Sequence, residues 1–162
     1  MIEETLVVKR RVGLRDLDSY FHMNNARYLW YLDASRAIFF ITSGLNLELY
    51  KFNKNGYIVA ASSTIRYRRS LQLFEKYRIV SRIAYFDEKN VYMEHKFISE
   101  KDEFISSIAY LKLAFVKVKP IDVFKSYLKV SEDELQLECP KALKSWMEFQ
   151  EHSSQSLKKS IE

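Results

Sequence analysis

Residues 25–43, NARYLWYLDASRAIFFITS, constrain the fold more than any other stretch of the chain. The segment is bounded like a helix. The Asn24 side chain can accept a hydrogen bond from an unpaired amide of the first turn. Ser43-Gly44 supplies the stop, because Gly tolerates the left-handed residue that closes a helix. Between these ends the polar residues Arg27, Asp33, Arg36 and Thr42 do not line up at helical period, and Leu29, Trp30, Leu32, Ile38, Phe39 and Ile41 wrap most of the circumference. A helix that apolar must be covered on several sides. The rest of the chain has to supply something that encloses it.

The flanking segments can do so. Residues 5–14 alternate apolar and basic side chains, a strand signal, and residues 15–23 form a loop with two acids. Residues 57–69, 77–86, 91–99 and 104–118 read as four further strands, with turns at 87–90 and 100–103. Short polar connections between alternating runs indicate an antiparallel meander. Pro120 ends it. Residues 131–134 and Pro140 look like helix starts, and residues 141–159 read as a terminal helix with basic residues at its end. The order predicts an α+β domain over residues 1–120, a five-stranded antiparallel sheet wrapped around one buried helix, with residues 121–162 as a C-terminal helical extension packed on the same domain. The chain has 162 residues, one domain's length, and its 48% apolar content can build one core. Aromatic residues make up 15% of it, and Phe39, Phe40, Tyr67, Phe74, Tyr85 and Phe86 are expected mostly in the core. An unpaired sheet edge is a liability, so the open edge and the aromatic surplus together predict a partner subunit.

Composition narrows the chemistry. Only 3 residues are Gly, against about 11 in an average chain of this length, which excludes collagen-like arrays and any Gly-rich phosphate loop. A net charge of +5 favours anionic partners such as phosphates or membrane headgroups, but is too small and too scattered to require nucleic acid. Cys139 is the single cysteine, so no internal disulfide forms and a reducing compartment suits the chain. The opening MIEETLVVKRR lacks the apolar run of a signal peptide. The longest unbroken apolar run, 37–41, falls far short of the roughly 18 residues that a membrane span needs. The expectation is a cytoplasmic chain.

Reactive groups concentrate in residues 15–36, RDLDSYFHMNNARYLWYLDASR, where the loop runs into the long helix. The first turn of a helix carries unpaired N–H groups and the positive end of the dipole, a ready oxyanion site, and the Asn25 amide lies there. Asp18 can fold back toward the same point. A carboxylate beside an oxyanion donor is the minimum equipment for acyl transfer, either attacking a carbonyl or activating a water. His22 can orient that carboxylate, donate to it or share the proton work.

This stretch resembles the hotdog-fold acyl-CoA thioesterases of the 4-hydroxybenzoyl-CoA thioesterase type. Their D-x-D-x-x-x-H-x-N-N-A-x-Y-like loop-to-helix element stands here as Asp16, Asp18, His22, Asn24, Asn25, Ala26 and Tyr28. The likeness extends toward the branch of thioesterase superfamily member six through residues 68–75 (RRSLQLFE), Tyr92-Met93-Glu94, Phe97-Ile98-Ser99 and residues 151–156 (EHSSQS), and so spans nearly the whole chain. The resemblance implies the hotdog fold, in paired units with active sites at the dimer interface, as a homodimer or a tetramer. It implies hydrolysis of an acyl-CoA or acyl-carrier-protein thioester with no metal and no cofactor beyond the coenzyme A of the substrate. Asp18 would be nucleophile or general base and the Asn25 amide the oxyanion donor. His22 matches a related His of plant acyl-carrier-protein thioesterases, and Asn24 and Tyr28 would lie against substrate. The chain departs from the pattern at Phe21, where many relatives have Gly, and at Tyr20, where the plant enzymes have a catalytic Asn. The Phe21 departure motivates a second reading, a hotdog dimer that binds acyl-CoA or a protein partner with little turnover.

Plainer roles stand beside these. Asp18 can simply cap a turn. Asp16 is expected to fix the loop or join an ion pair, and Asp33 should pair with Arg36. Arg66, Arg68 and Arg69 form the densest basic cluster, with Arg66 and Arg68 on one strand face and Arg69 on the other. They either grip the coenzyme A phosphates or form a solvated strand end. His95 is expected to hydrogen-bond at the surface, and the three histidines lack metal-ligand spacing.

Overall fold

The alternating segments form β1 (Thr5–Arg11), β2 (Tyr57–Tyr67), β3 (Lys76–Phe86), β4 (Asn90–Ser99) and β5 (Ile105–Val116). They make one antiparallel sheet in the order β1-β3-β4-β5-β2. The computed structural model describes residues 5–131, 133–135 and 137–159, with the side chains of 158 and 159 excepted. Residues 1–4 of the opening segment, Glu132 of the helix start expected at 131–134, and residues 160–162 of the extension lie outside the described residues.

α1 (Asn25–Ser43) has the expected bounds: Asn24 Oδ1 accepts from the Ala26 N–H at 2.8 Å, and Gly44 closes the helix at φ 79°. Tyr28, Leu32, Ser35 and Phe39 share one side and are buried against the sheet with Phe40. The Tyr28 ring lies 5.0 Å from Phe97, and the Phe40 ring 6.4 Å from Phe115. Cover on several sides is not supplied by this chain alone, because Leu29, Trp30 and Ile41 remain exposed. A single sheet layer can face only one flank of a helical cylinder.

β3, β4 and β5 are the predicted meander, with Asp87 accepting the amides of Lys89 and Asn90 at the first turn. β2 corrects the meander reading. It pairs with β5, Tyr57 opposite Val116 and Tyr67 opposite Ser107, and residues 68–75 cross the sheet end to reach β3. The crossover is moored under the start of α1. Leu71 is wholly buried, its amide donates to Tyr28 Oη at 3.3 Å, and its carbonyl accepts from Met23 N at 2.9 Å. Alternation specifies a strand but not its neighbour, and that neighbour is set by such distant contacts.

Other boundaries move for local reasons. β1 stops at Arg11 and not at 14, because the Gly13 amide donates to the Asp16 carboxylate and residues Leu14–Asp16 coil into a 3-10 turn. The last strand covers 105–116 and not 104–118. Two helices were not anticipated, α2 (Leu45–Phe52) and α3 (Pro120–Leu128). Glu48 links them, accepting from Lys51 Nζ and from the Ser126 hydroxyl. Val123 and Phe124 enter the main core. α4 (Lys141–Lys159) follows Pro140, and its Leu143, Trp146 and Met147 pack on the outer sheet face with Ala84, Tyr92 and Tyr110. Of the aromatic residues expected in the core, Tyr67 and Phe74 are exposed. No helix among the described residues is long and apolar enough to cross a membrane.

His95 also reverses its expectation. Alternation along β4 puts it on the core side with Val91, Met93 and Phe97, where it is wholly buried, Nδ1 2.8 Å from Ser81 Oγ and Nε2 without a partner among the described residues. Burial lowers its pKa to about 4; Arg36 pushes the same way and Glu94 opposes. The unfolded chain takes up this proton near pH 6.5 and the fold resists it until about 4, so stability present above that window is lost as pH falls through it. Urea unfolding midpoints should therefore drop between neutral pH and pH about 4, and His95→Asn, which cannot titrate, should show a visibly shallower drop. Equal slopes for the two proteins would refute this account.

Candidate active site

Asp16 fixes the loop ahead of α1. It is buried, with one oxygen accepting from Gly13 N at 2.9 Å and the other from the Tyr31 hydroxyl at 2.9 Å, and Arg27 Nε lies 3.4 Å away. Its carbonyl accepts from Asn24 N at 2.8 Å, and Arg27 donates to the Arg15 carbonyl. This is the loop-fixing, ion-pairing role expected of Asp16. Asp33 likewise pairs with Arg36 at 2.8 Å.

Asp18 begins a tight hairpin. Its amide donates to the His22 carbonyl at 3.0 Å, and its own carbonyl accepts from Phe21 N at 3.2 Å. A three-residue hairpin loop of this type ends on a left-handed residue, for which Gly is suited, and Phe21 takes that position at φ 60°. Asp18 Oδ1 accepts from Tyr20 N at 2.9 Å, the expected turn-capping contact. Oδ2 lies 3.2 Å from His22 Nδ1, but off the line of a hydrogen bond, and that nitrogen has no hydrogen-bond partner among the described residues. Both side chains are partly open to solvent.

The helix tip faces the same loop. Asn24 consumes the amides of Ala26 and Arg27, through its side chain and its carbonyl, whereas the Asn25 N–H meets no acceptor among the described residues. That leaves free the donor on which the dipole's positive end is concentrated. Antiparallel bridges Leu17–Met23 and His22–Gln72 place the Asp18 hairpin and the crossover side by side, and Tyr67 Oη donates to the Asn25 carbonyl at 3.1 Å, joining the end of β2 to the helix start.

The remaining candidates are placed differently. Asn24 is engaged in the cap. Tyr28 is buried in the core, holding Leu71, and burial raises its hydroxyl to about 12. Arg66 is exposed on β2. β2 ends at Tyr67, so Arg68 and Arg69 do not alternate between strand faces: their amides both donate to Ser106 O, and both guanidinium groups lie over the Phe104 ring, at 4.7 and 4.3 Å. Arg68 donates to the Ile105 carbonyl. Arg69 grips Asp102 with two bonds of 2.6 and 2.7 Å, which hold that carboxyl down to about 2. Tyr31 and Tyr67 were missed. Tyr31 is four residues after Arg27 on α1, a spacing that could have linked it to the loop; nothing local marks Tyr67. Among the described residues no group of His, Cys, Asp and Glu is arranged to hold a metal.

A five-stranded antiparallel sheet holding one long helix, with a carboxylate-bearing hairpin leading into the helix tip, defines the hotdog class. Residues 12–147 match the thioesterase-like superfamily, and the chain belongs to that family. It is 34% identical over 159 residues to Protein THEM6 of Drosophila melanogaster, a match that covers 98% of this chain and 80% of that protein. Among solved structures it resembles the YbaW probable thioesterase from Escherichia coli, with a TM-score of 0.68 and 21% identity over 76% of this chain and 96% of that one. It also resembles SAV2348 from Staphylococcus aureus, solved in complex with CoA, with a TM-score of 0.68 and 17% identity over 88% and 94% of the two chains.

The Asp16 network supports the loop and the helix tip together. Asp16→Asn keeps the shape but leaves one oxygen for two donors, and should lower stability by about 2 kcal/mol in urea titrations. Unchanged stability would show that the network does not hold the loop.

Proposed function

We propose that the chain hydrolyses an acyl-CoA thioester to a free acid and coenzyme A. The observation that supports this reading is a hairpin with Asp18 and His22 3.2 Å apart, tied by the Leu17–Met23 bridge and the Asn24 N–Asp16 O bond to the start of a helix whose Asn25 N–H meets no acceptor among the described residues. Asp18 acts as nucleophile on the thioester carbonyl or as general base on a water, and His22 orients its carboxylate. The Asn25 N–H receives the charge that develops on the carbonyl oxygen. The family, and the CoA held by a relative of the same fold, support coenzyme A as the carrier, with a carrier-protein thioester as the variant substrate.

The unit we propose is a homodimer through β2. β2 is an edge strand of the sheet, and its Tyr57 shares a cleft with the exposed Ile41 of α1. Two β2 edges meeting antiparallel about a two-fold axis set the Tyr57 end of one strand beside the Tyr67 end of the other. Tyr57 lines an apolar cleft of about 300 Å³ with Ala37, Phe40, Ile41 and Tyr50, and Tyr67 touches the helix tip. The cleft of one protomer thus approaches the reactive tip of its partner, where an acyl group fits.

Asp18→Asn retains the turn contact and removes the negative charge. Turnover on a panel of short, long and aromatic acyl-CoAs should fall at least about a hundredfold, with the thermal midpoint nearly unchanged. Turnover at the wild-type rate would eliminate the mechanism, and binding without turnover by the wild-type protein would favour the binding-module reading that Phe21 suggests. Light scattering should give twice the 19.3 kDa chain mass; a monomer would remove the shared cleft.

A further inference from the structure

The sheet end that carries the Asp18 hairpin also carries an apolar surface unused by the fold. Leu14, Tyr20, Phe21 and Phe74 are 71%, 78%, 74% and 61% exposed. They come from three segments knitted by backbone: Phe74 N donates to Val12 O at 2.9 Å, Val12 N donates to Glu75 O at 3.0 Å, and His22 bridges Gln72. Phe21 and Phe74 both stand on left-handed backbone, at φ 60° and 64°. That conformation penalises any residue with a Cβ, and a bulky ring most, so Gly would suit both turns better. Neither ring gains burial in return.

The charges around them are one-sided. The acids of this end are engaged: Asp16 with Tyr31 and Arg27, Asp18 with Tyr20 N and His22, Glu75 with Gln72 N and Ser99, Glu100 with Lys9, Asp102 with Arg69 and Glu103 with Arg78. Arg11, Arg15, Lys76 and Lys101 are exposed and pair with no carboxylate among the described residues. Residues 72–76 lead into β3 beside β1, with Lys76 opposite Arg11, so this part of the surface lies on the side of the sheet away from β2.

We propose that this end docks on an anionic lipid bilayer, with Leu14, Tyr20, Phe21 and Phe74 entering the headgroup region and Arg11, Arg15, Lys76 and Lys101 meeting lipid phosphates. Protruding aromatic side chains ringed by unpaired cations match the two layers of such an interface, apolar below and anionic above. The inference does not rest on the proposed reaction.

The full chain is sedimented with vesicles of phosphatidylcholine alone and of phosphatidylcholine with phosphatidylserine. Partitioning should be at least about tenfold stronger on the anionic vesicles and should fall steeply with added salt. The double variant Phe21→Gly/Phe74→Gly should unfold at the same or a higher temperature, because backbone strain is relieved, and should lose about tenfold or more in partitioning. Arg15→Ser/Lys76→Ser should lose the preference for anionic vesicles. Absence of wild-type binding to anionic vesicles overturns the proposal, as does full binding by a stably folded Gly variant. A Gly variant whose light-scattering mass falls while vesicle partitioning is unchanged overturns it in favour of a second copy of the chain as occupant.

Discussion

The loop end of the molecule depends on how α1 begins. Tyr28, Leu32, Ser35 and Phe39 press one side of the helix into the sheet, and that packing fixes the position of Asn24 ahead of it. Asn24 then decides which amides are consumed, and its own N–H is held by the Asp16 carbonyl. Asp16 is held in turn by Tyr31 and Arg27, both on α1, so the loop is tied to the helix that follows it. Tyr28 ties the crossover to the same turn. The hairpin bearing Asp18 and His22 hangs between these two attachments.

Two surfaces are unfinished in the isolated chain, and they differ in physical character. The flank made by the β2 edge and α1 is apolar with free backbone groups, which suits another strand and helix of the same kind. The loop end is aromatic and cationic on strained turns, which suits a soft anionic surface.

Much of this was legible in the chain. The ends of α1 followed from Asn24 and Gly44, because cap and stop are chemistry of single residues with neighbouring amides. The β3-β4-β5 meander followed from period-two alternation and short polar turns. Asp16 and Asp33 took the roles their spacing suggested. The failures share a cause. The place of β2, the inward direction of His95, the turn of Arg68 and Arg69 onto Phe104, and the exposure of Phe74 each depend on what lies across the sheet or beyond a strand's last residue. Alternation tells which residues share a face, but not which face is covered.

The order of residues by itself determined the long helix, the loop bearing Asp18 and His22 that leads into it, and a mixed α+β architecture, because these arise from interactions within a few residues. Tertiary structure alone decided that β2 lies beside β5, that one layer covers one flank of α1 only, and that the Asn25 amide meets no acceptor among the described residues while its neighbours are satisfied. Those outcomes come from contacts between segments tens of residues apart, such as Leu71 with Tyr28 and Tyr67 with Asn25, which only the closed fold brings within bonding distance.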